Sequence, residues 1–283
     1  MIRSFEHAEF PLELLLERKR ASVSVVLPAR EVADTVGPIV ERTLSLDGLV
    51  DQVVVVDAAS EDGTAEVAER AGAEIRQQDD LLPDLGPVLG KGDALYRSLS
   101  VVTGALVLFV DADTRDFEPH FVTGLAGPLI AGDAVRFVKG AYRRPFVAGG
   151  VELQDGGGRV SQLTAGPLLS AFYPDLAELR QPLAGEVAAP REVLERLPFA
   201  TGYAVETAML IDVRDTFGAD AIAEVDIGER RNSHQPLEAL RPMADAVLAI
   251  VCERLRRDGR LVADAPARAI VERPPFASLR TAA

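Results

Sequence analysis

The densest apolar run in the chain is residues 105–110, Ala-Leu-Val-Leu-Phe-Val, and Asp111, Ala112 and Asp113 follow it at once. A run without helical gaps predicts a strand buried on both faces, as strands inside a parallel sheet are. Residues 22–27 (Ser-Val-Ser-Val-Val-Leu) and 53–56 (four valines) repeat the pattern and stop at Pro28 and Asp57. Residues 73–76 give a short third strand. Between these runs the spacing turns helical: Val36, Ile39 and Val40 share one face of a helix from about residue 34, and a second helix runs to Ala71-Gly72. Strand–helix alternation of this kind predicts right-handed parallel crossovers. A helix over residues 93–103 then leads into the 105–113 stretch.

Beyond residue 113 the alternation stops. The pattern predicts strands at 134–141 and 221–227, helices at 163–172, 190–197, from 202 to about 210 and at 243–257, and a mobile Gly-rich loop at 147–159. The first 20 residues read as a lead-in with one short helix at 12–16. The tail, with Pro266, Pro274 and Pro275, reads as poorly ordered or wrapped on a partner. No internal repeat is present.

Asp111 and Asp113 stand where the sheet's central strand should end, and open α/β sheets bind ligands beyond the carboxyl ends of their strands. Residues i and i+2 of an extended segment point the same way, so both carboxylates can face one ligand. Hard oxygen ligands suit Mg²⁺ or Mn²⁺, which completes its shell with water and phosphate oxygens. An acidic turn after a core strand gives the same short motif. Lys91 between Gly90 and Gly92 reads, without its surroundings, as a solvated loop lysine.

Composition narrows the function. With 283 residues, 48% hydrophobic and 26% charged, the chain suits one large domain or two modest ones, and its net charge of -14 argues against nucleic acid as partner. The single cysteine, Cys252, excludes a disulfide framework and reads as a core residue. No apolar stretch of spanning length and no leader-like segment in the first 20 residues are seen, so no membrane is expected and a cytoplasmic location is. Neither Gly-x-Gly-x-x-Gly nor Gly-Lys-Ser/Thr occurs, which speaks against dinucleotide and P-loop sites.

Taken together, the strand ending in Pro28-Ala29, the Val-Asp-x-x-Ser-x-Asp-Gly-Thr segment at 56–64 and Asp-x-Asp at 111–113 resemble the GT-A glycosyltransferases. Over residues 22–240 the chain resembles more narrowly the retaining family of glucosyl-3-phosphoglycerate synthase and its mannosyl counterpart. That likeness rests on Gly90-Lys91-Gly92 with Arg97-Ser98, Tyr142-Arg143-Arg144-Pro145, Gly-Gly-Gly-Arg-Val at 156–160, Gln181-Pro182-Leu183 with Gly185-Glu186, and Gly202-Tyr203 with Val205-Glu206.

The resemblance implies an α/β, Rossmann-like GT-A fold: a mostly parallel sheet flanked by helices, with a C-terminal acceptor-binding subdomain. The implied division is a lead-in at 1–21, a nucleotide-sugar subdomain at 22–145, an acceptor subdomain at 146–258 and a tail at 259–283. It implies a homodimer transferring hexose from a UDP- or GDP-sugar to the 2-hydroxyl of 3-phosphoglycerate. Pro28, Ala29 and Ala58 would line the base pocket, with Glu31 and Asp57 also on the donor side. Lys91 would meet the diphosphate or sugar, and Asp111, Ala112 and Asp113 the ribose and metal. Leu183, Tyr203 and Glu206 would surround the sugar, and Arg230 would lie on the donor side. Gly158, Arg159 and Ser161 would hold the acceptor's phosphate and carboxylate. Lys91, Asp111, Asp113 and Glu206 carry the expected catalysis.

Two positions depart from the family pattern. Arg30-Glu31-Val32 stands where the family has two acidic residues or Asn-Glu, which bears on nucleotide preference. Late in the chain Asn232 and His234 are exchanged relative to the family's metal-binding histidine. His234, joining Asp113, is the favoured ligand because imidazole suits Mn²⁺-like metals. Rival readings are the same chemistry with GDP-mannose, a nucleotidyltransferase, and a non-catalytic regulator that binds a nucleotide sugar. A nucleotidyltransferase would want glycines after the first strand, and residues 28–32 contain none.

Overall fold

The computed structural model describes residues 1–132, 134–148, 151–153, 157–231, 236–261 and 271–280. In chain order its strands are β1 (Arg3–Glu6), β2 (Val23–Ala29), β3 (Gln52–Asp57), β4 (Glu74–Gln77), β5 (Leu106–Phe109), β6 (Phe137–Arg143), β7 (Phe146–Ala148), β8 (Val151–Leu153), β9 (Val187–Pro190), β10 (Phe199–Ala200), β11 (Ile222–Glu229) and β12 (Glu272–Arg273). Eight form the main sheet in the order β1-β11-β6-β9-β5-β2-β3-β4. All of its pairings are parallel except those of β9, which runs against both β5 and β6.

The valine runs explain the layering. Successive side chains of a strand point to opposite faces. Val23, Val25 and Leu27 of β2 therefore join one core with Val36, Ile39 and Val40, while Val26 joins the other with Ala94, Leu95 and Met209. In β5, Leu106 and Leu108 enter the first core and Val107 and Phe109 the second. Helices Ala33–Leu44 and His120–Ala131 cover one face; Lys91–Ser98 and Val205–Phe217 cover the other. Burying a valine or leucine fully is worth about 1.5–3 kcal/mol, which a sheet covered on one face alone could not collect on both.

Several expectations are corrected. Residues 3–6, expected to precede the fold, are the edge strand of the sheet, paired with β11. Their alternation is masked by charged residues, as edge strands allow. The segment expected to be helical at 190–197 begins instead as β9 and keeps only the turn Arg191–Leu194. β2 continues through Pro28 and Ala29, which proline permits because the β5 ladder stops at Val26 while β3 pairs on to Ala29. The helix expected at 93–103 is Lys91–Ser98, and the last long helix starts earlier, at Leu237. Within the Gly-rich stretch expected to be a loop, β7 and β8 form a hairpin; residues 149, 150 and 154–156 lie outside the described residues. In the tail, β12 pairs with β10, while Pro266 lies outside the described residues. Cys252, expected in the core, is half-buried. Among the described residues no helix is long and apolar enough to cross a membrane.

Candidate active site

Parallel strands deliver their ends to one edge. Pro28-Ala29 closes β2, Asp57-Ala58 closes β3, Asp111–Asp113 follows β5, and Arg230 follows β11. Because β9 runs the other way, its beginning arrives at the same edge and brings Leu183, Gly185 and Glu186 with it. Lys91 is the first residue of its helix, and Glu206 stands in the first turn of helix Val205–Phe217.

These residues form a chain of charge. The Lys91 ammonium lies 2.5 Å from Asp111 Oδ1 and 3.0 Å from Glu206 Oε1. Asp111 Oδ2 is 3.0 Å from Arg230 Nη1, and Arg230 Nη2 donates to Asp113 Oδ1 at 2.5 Å. Arg230, only 3% exposed, also donates to the Tyr142 hydroxyl at 3.0 Å and lies 3.1 Å from Glu186 Oε1. Burial works against the Lys91 ammonium, but the charges of Asp111 and Glu206 hold its pKa well above the ordinary lysine value. Burial likewise works against ionising Asp111, and Lys91 and Arg230 overcome it, holding the carboxyl below the usual range. Glu186 is the reverse case, since burial pushes its carboxyl up.

Above this floor opens a cleft of about 680 Å³ lined by Pro28, Ala29, Ala58, Lys91, Asp111, Ala112, Asp113, Gly158, Arg159, Ser161, Leu183, Tyr203 and Arg230. Three expected donor residues do not line it. Glu206 acts at one remove, through Lys91. Glu31 is exposed and accepts from the Glu61 amide. Asp57 accepts from the amide and hydroxyl of Ser60 and from Gln77. Both carboxylates brace the strand-end loops, which contain left-handed Glu31 and Ala59 (φ 52° and 54°). Non-glycine residues hold such angles only where surrounding bonds impose them.

Sequence reading missed part of the lining and floor. Arg30, Arg144, Leu240 and Met243 also line the cleft. Lys139 lies beneath it, fully buried, donating to the Ala184 carbonyl. Burial pushes its ammonium down to about 8, against the partial support of Glu206 and Glu186. The only sequence signal was one charge in the apolar stretch 137–141. Tyr142 and Glu186 lay inside quoted motifs without an assigned role. Gly185 is fixed by close approach: a Cβ there would sit 2.2 Å from Asp111 Oδ1.

The donor set fits a divalent cation. Asp111 is engaged by two cations, whereas the Asp113 side chain is 45% exposed in the cleft. One such carboxylate suits Mg²⁺ or Mn²⁺ that keeps waters and phosphate oxygens in its shell. Among the described residues no three His, Cys, Asp or Glu side chains converge on a cation. Asn232 and His234 lie outside the described residues.

Residues 24–147 match the glycosyl transferase family 2 model. A glucosyl-3-phosphoglycerate synthase of Mycolicibacterium smegmatis is 45% identical over 234 residues, which are 82% of this chain and 77% of that one. The chain belongs to the glucosyl-3-phosphoglycerate synthase family. Another member, from Petrotoga mobilis, is 39% identical over 92% of this chain and 82% of its own. Among solved structures, a mannosyl-3-phosphoglycerate synthase from Rubrobacter xylanophilus superposes with a TM-score of 0.92 at 46% identity, covering 98% of this chain and 97% of that one. A glucosyl-3-phosphoglycerate synthase from Mycobacterium tuberculosis, in complex with Mn²⁺, UDP-glucose and phosphoglyceric acid, superposes with a TM-score of 0.86 at 37% identity and covers 99% of both chains. The mostly parallel sheet flanked by helices is thus the family's GT-A arrangement.

Proposed function

We propose that this family member transfers glucose from UDP-glucose to the 2-hydroxyl of 3-phosphoglycerate with retention at the anomeric carbon, using Mg²⁺ or Mn²⁺. The observation that carries this reading is that one cleft holds both a cation–carboxylate floor, Lys91-Asp111-Arg230-Asp113, and the segment Gly158-Arg159-Ser161. A nucleotide-sugar diphosphate suits the first, and a small acid with a phosphate and a carboxylate suits the second.

In the transfer the bond from the anomeric carbon to the diphosphate oxygen breaks, a bond to the acceptor hydroxyl oxygen forms, and the hydroxyl proton leaves with the diphosphate. Lys91 stays charged and faces the negative charge that builds there. Asp113, with His234, would hold the cation, which supplies further charge neutralisation at the leaving group. Arg230 holds Asp111 and Asp113 in fixed relation. Pro28, Ala29 and Ala58 take the base, and Leu183 and Tyr203 the sugar. Arg159 forks onto the acceptor, while Gly158, at φ 70°, lets the backbone come close. The reading places the enzyme in the cytoplasm as a homodimer.

The test is a donor screen with 3-phosphoglycerate, reading released nucleoside diphosphate from UDP-glucose, GDP-glucose and GDP-mannose. UDP-glucose should be preferred. Preference for GDP-mannose would make the chain the mannosyl enzyme, and nucleotide binding without turnover would make it a regulator.

A further inference from the structure

The C-terminal strand reaches back to the segment that carries Lys91. β12 pairs antiparallel with β10, Phe199 opposite Arg273 and Ala200 opposite Glu272. The first turn of helix Lys91–Ser98 sits directly on that small sheet: a Cβ on Gly92 would lie 2.1 Å from the Ala200 carbonyl oxygen. One residue further on, the fully buried Asp93 receives Arg273 as a fork, Nε to Oδ1 at 2.7 Å and Nη2 to Oδ2 at 2.8 Å. Arg273 Nη1 also donates to the Leu85 carbonyl at 3.1 Å.

The same strand holds a second piece of the cleft. Thr201 donates its amide and its hydroxyl to the Val271 carbonyl, at 3.1 and 2.9 Å. Thr201 leads into Gly202 and Tyr203, which line the cleft, and then into the helix that carries Glu206. Gly90 and Gly202 are packed against each other, since a Cβ on Gly90 would lie 3.2 Å from the Gly202 Cα. Asp93 accepts from the Leu89 amide at 2.9 Å as well, so it fixes both sides of Lys91.

We propose that residues 271–273 are a positioning element of the donor side of the cleft, with Arg273 as the residue that sets Lys91 through Asp93. The strand ties together the two chain segments whose side chains meet in the Lys91–Glu206 ion pair. Arg159 and Ser161, by contrast, lie on a separate stretch that runs on into helix Gly166–Phe172, not into either segment that β12 joins. Loss of Arg273 should therefore disturb the nucleotide sugar and spare the small acid. A lysine cannot reproduce the planar fork.

The inference rests on the transfer reading above, and full-length variants separate the two. Turnover of UDP-glucose and 3-phosphoglycerate by the parent chain tests the reading; calorimetric UDP binding and the variant-to-parent ratios test the inference. Arg273→Met should raise the KM for UDP-glucose or lower kcat by about 10-fold or more, with the acceptor KM changed less than about 2-fold. Arg273→Lys should recover only part of the loss. Because Arg273→Met leaves the buried Asp93 carboxylate with only the longer 3.4 Å ion pair to Arg97, the double variant Asp93→Asn/Arg273→Met, which removes the fork and leaves Arg97 on the Leu81, Leu82 and Gly86 carbonyls, keeps the test valid if the single one does not fold. It should fold and retain the donor defect. Parental donor kinetics in a folded Arg273→Met or double variant, or equal changes in donor and acceptor KM, would overturn the proposal.

Discussion

Lys91 and Glu206 are 3.0 Å apart, nitrogen to oxygen, yet they sit in the first turns of two different helices. The same ammonium meets Asp111 at the end of β5, so one side chain joins three elements of the cleft floor. Lys91→Met should lower kcat by about 100-fold or more, the scale at which losing one group aimed at developing charge is felt. Released UDP measured under saturating substrates checks this. Near-parental turnover would make the ion pair purely structural.

Metal removal should abolish transfer, and Mg²⁺ or Mn²⁺ should restore it. Asp113→Ala should fold normally and lose turnover. His234→Ala should weaken metal affinity by about 10- to 100-fold, whereas Asn232→Ala should be milder, because water replaces an amide oxygen more easily than an imidazole. Titrating activity against Mn²⁺ for both variants decides it. A severe defect in Asn232→Ala alone would assign that residue as the ligand.

Arg159→Lys should raise the KM for 3-phosphoglycerate well above its effect on the donor KM. A guanidinium forks onto a phosphate or carboxylate, and an ammonium does not. Equal shifts in both constants would place Arg159 on the donor side instead.

Gly185→Ala forces a methyl group to within 2.2 Å of the Asp111 carboxylate. Asp111 is held by Lys91 and Arg230 and cannot retreat without breaking ion pairs. Overpacking of this kind costs about 1–3 kcal/mol, so both melting temperature and transfer should fall. A variant with parental stability would show that the Asp111 carboxylate moves freely.

Lys139 gives the pH test. Its folded pKa is pushed down from 10.5 to about 8, first by burial. Between those values the unfolded chain holds the proton and the folded one has released it, so this contribution to stability rises with pH. The charges of Glu206, Lys91, Glu186 and Asp111 act on it throughout. Relative to Lys139→Met, the parent should gain up to about 3 kcal/mol between pH 8 and 10.5. Urea unfolding of both proteins across that range reads it. A difference that does not vary with pH would mean that the ammonium keeps its ordinary pKa.

The central strands were legible in the chain because burial on both faces leaves a local mark. Four consecutive valines, or six apolar residues in a row, have no stable place except between two covered faces. The residues at the strand ends were legible for the same reason, since a parallel sheet sends every such end to one edge. Motif resemblance singled out Lys91, Arg159, Tyr203 and Arg230, and the fold brings all four into one cleft. Tertiary structure alone decided the rest. A four-residue edge strand with charged side chains has no hydrophobic period to betray it, and the direction of β9 depends on which strands flank it. That Glu31 reaches Glu61, Asp57 reaches Gln77 and Asp113 faces the cleft beside Arg230 depends on neighbours farther along the chain. So does the burial of Lys139, and so does the reach of Arg273 across 180 residues to Asp93. An ion pair is set by distance in space, and the order of residues records only distance along the backbone.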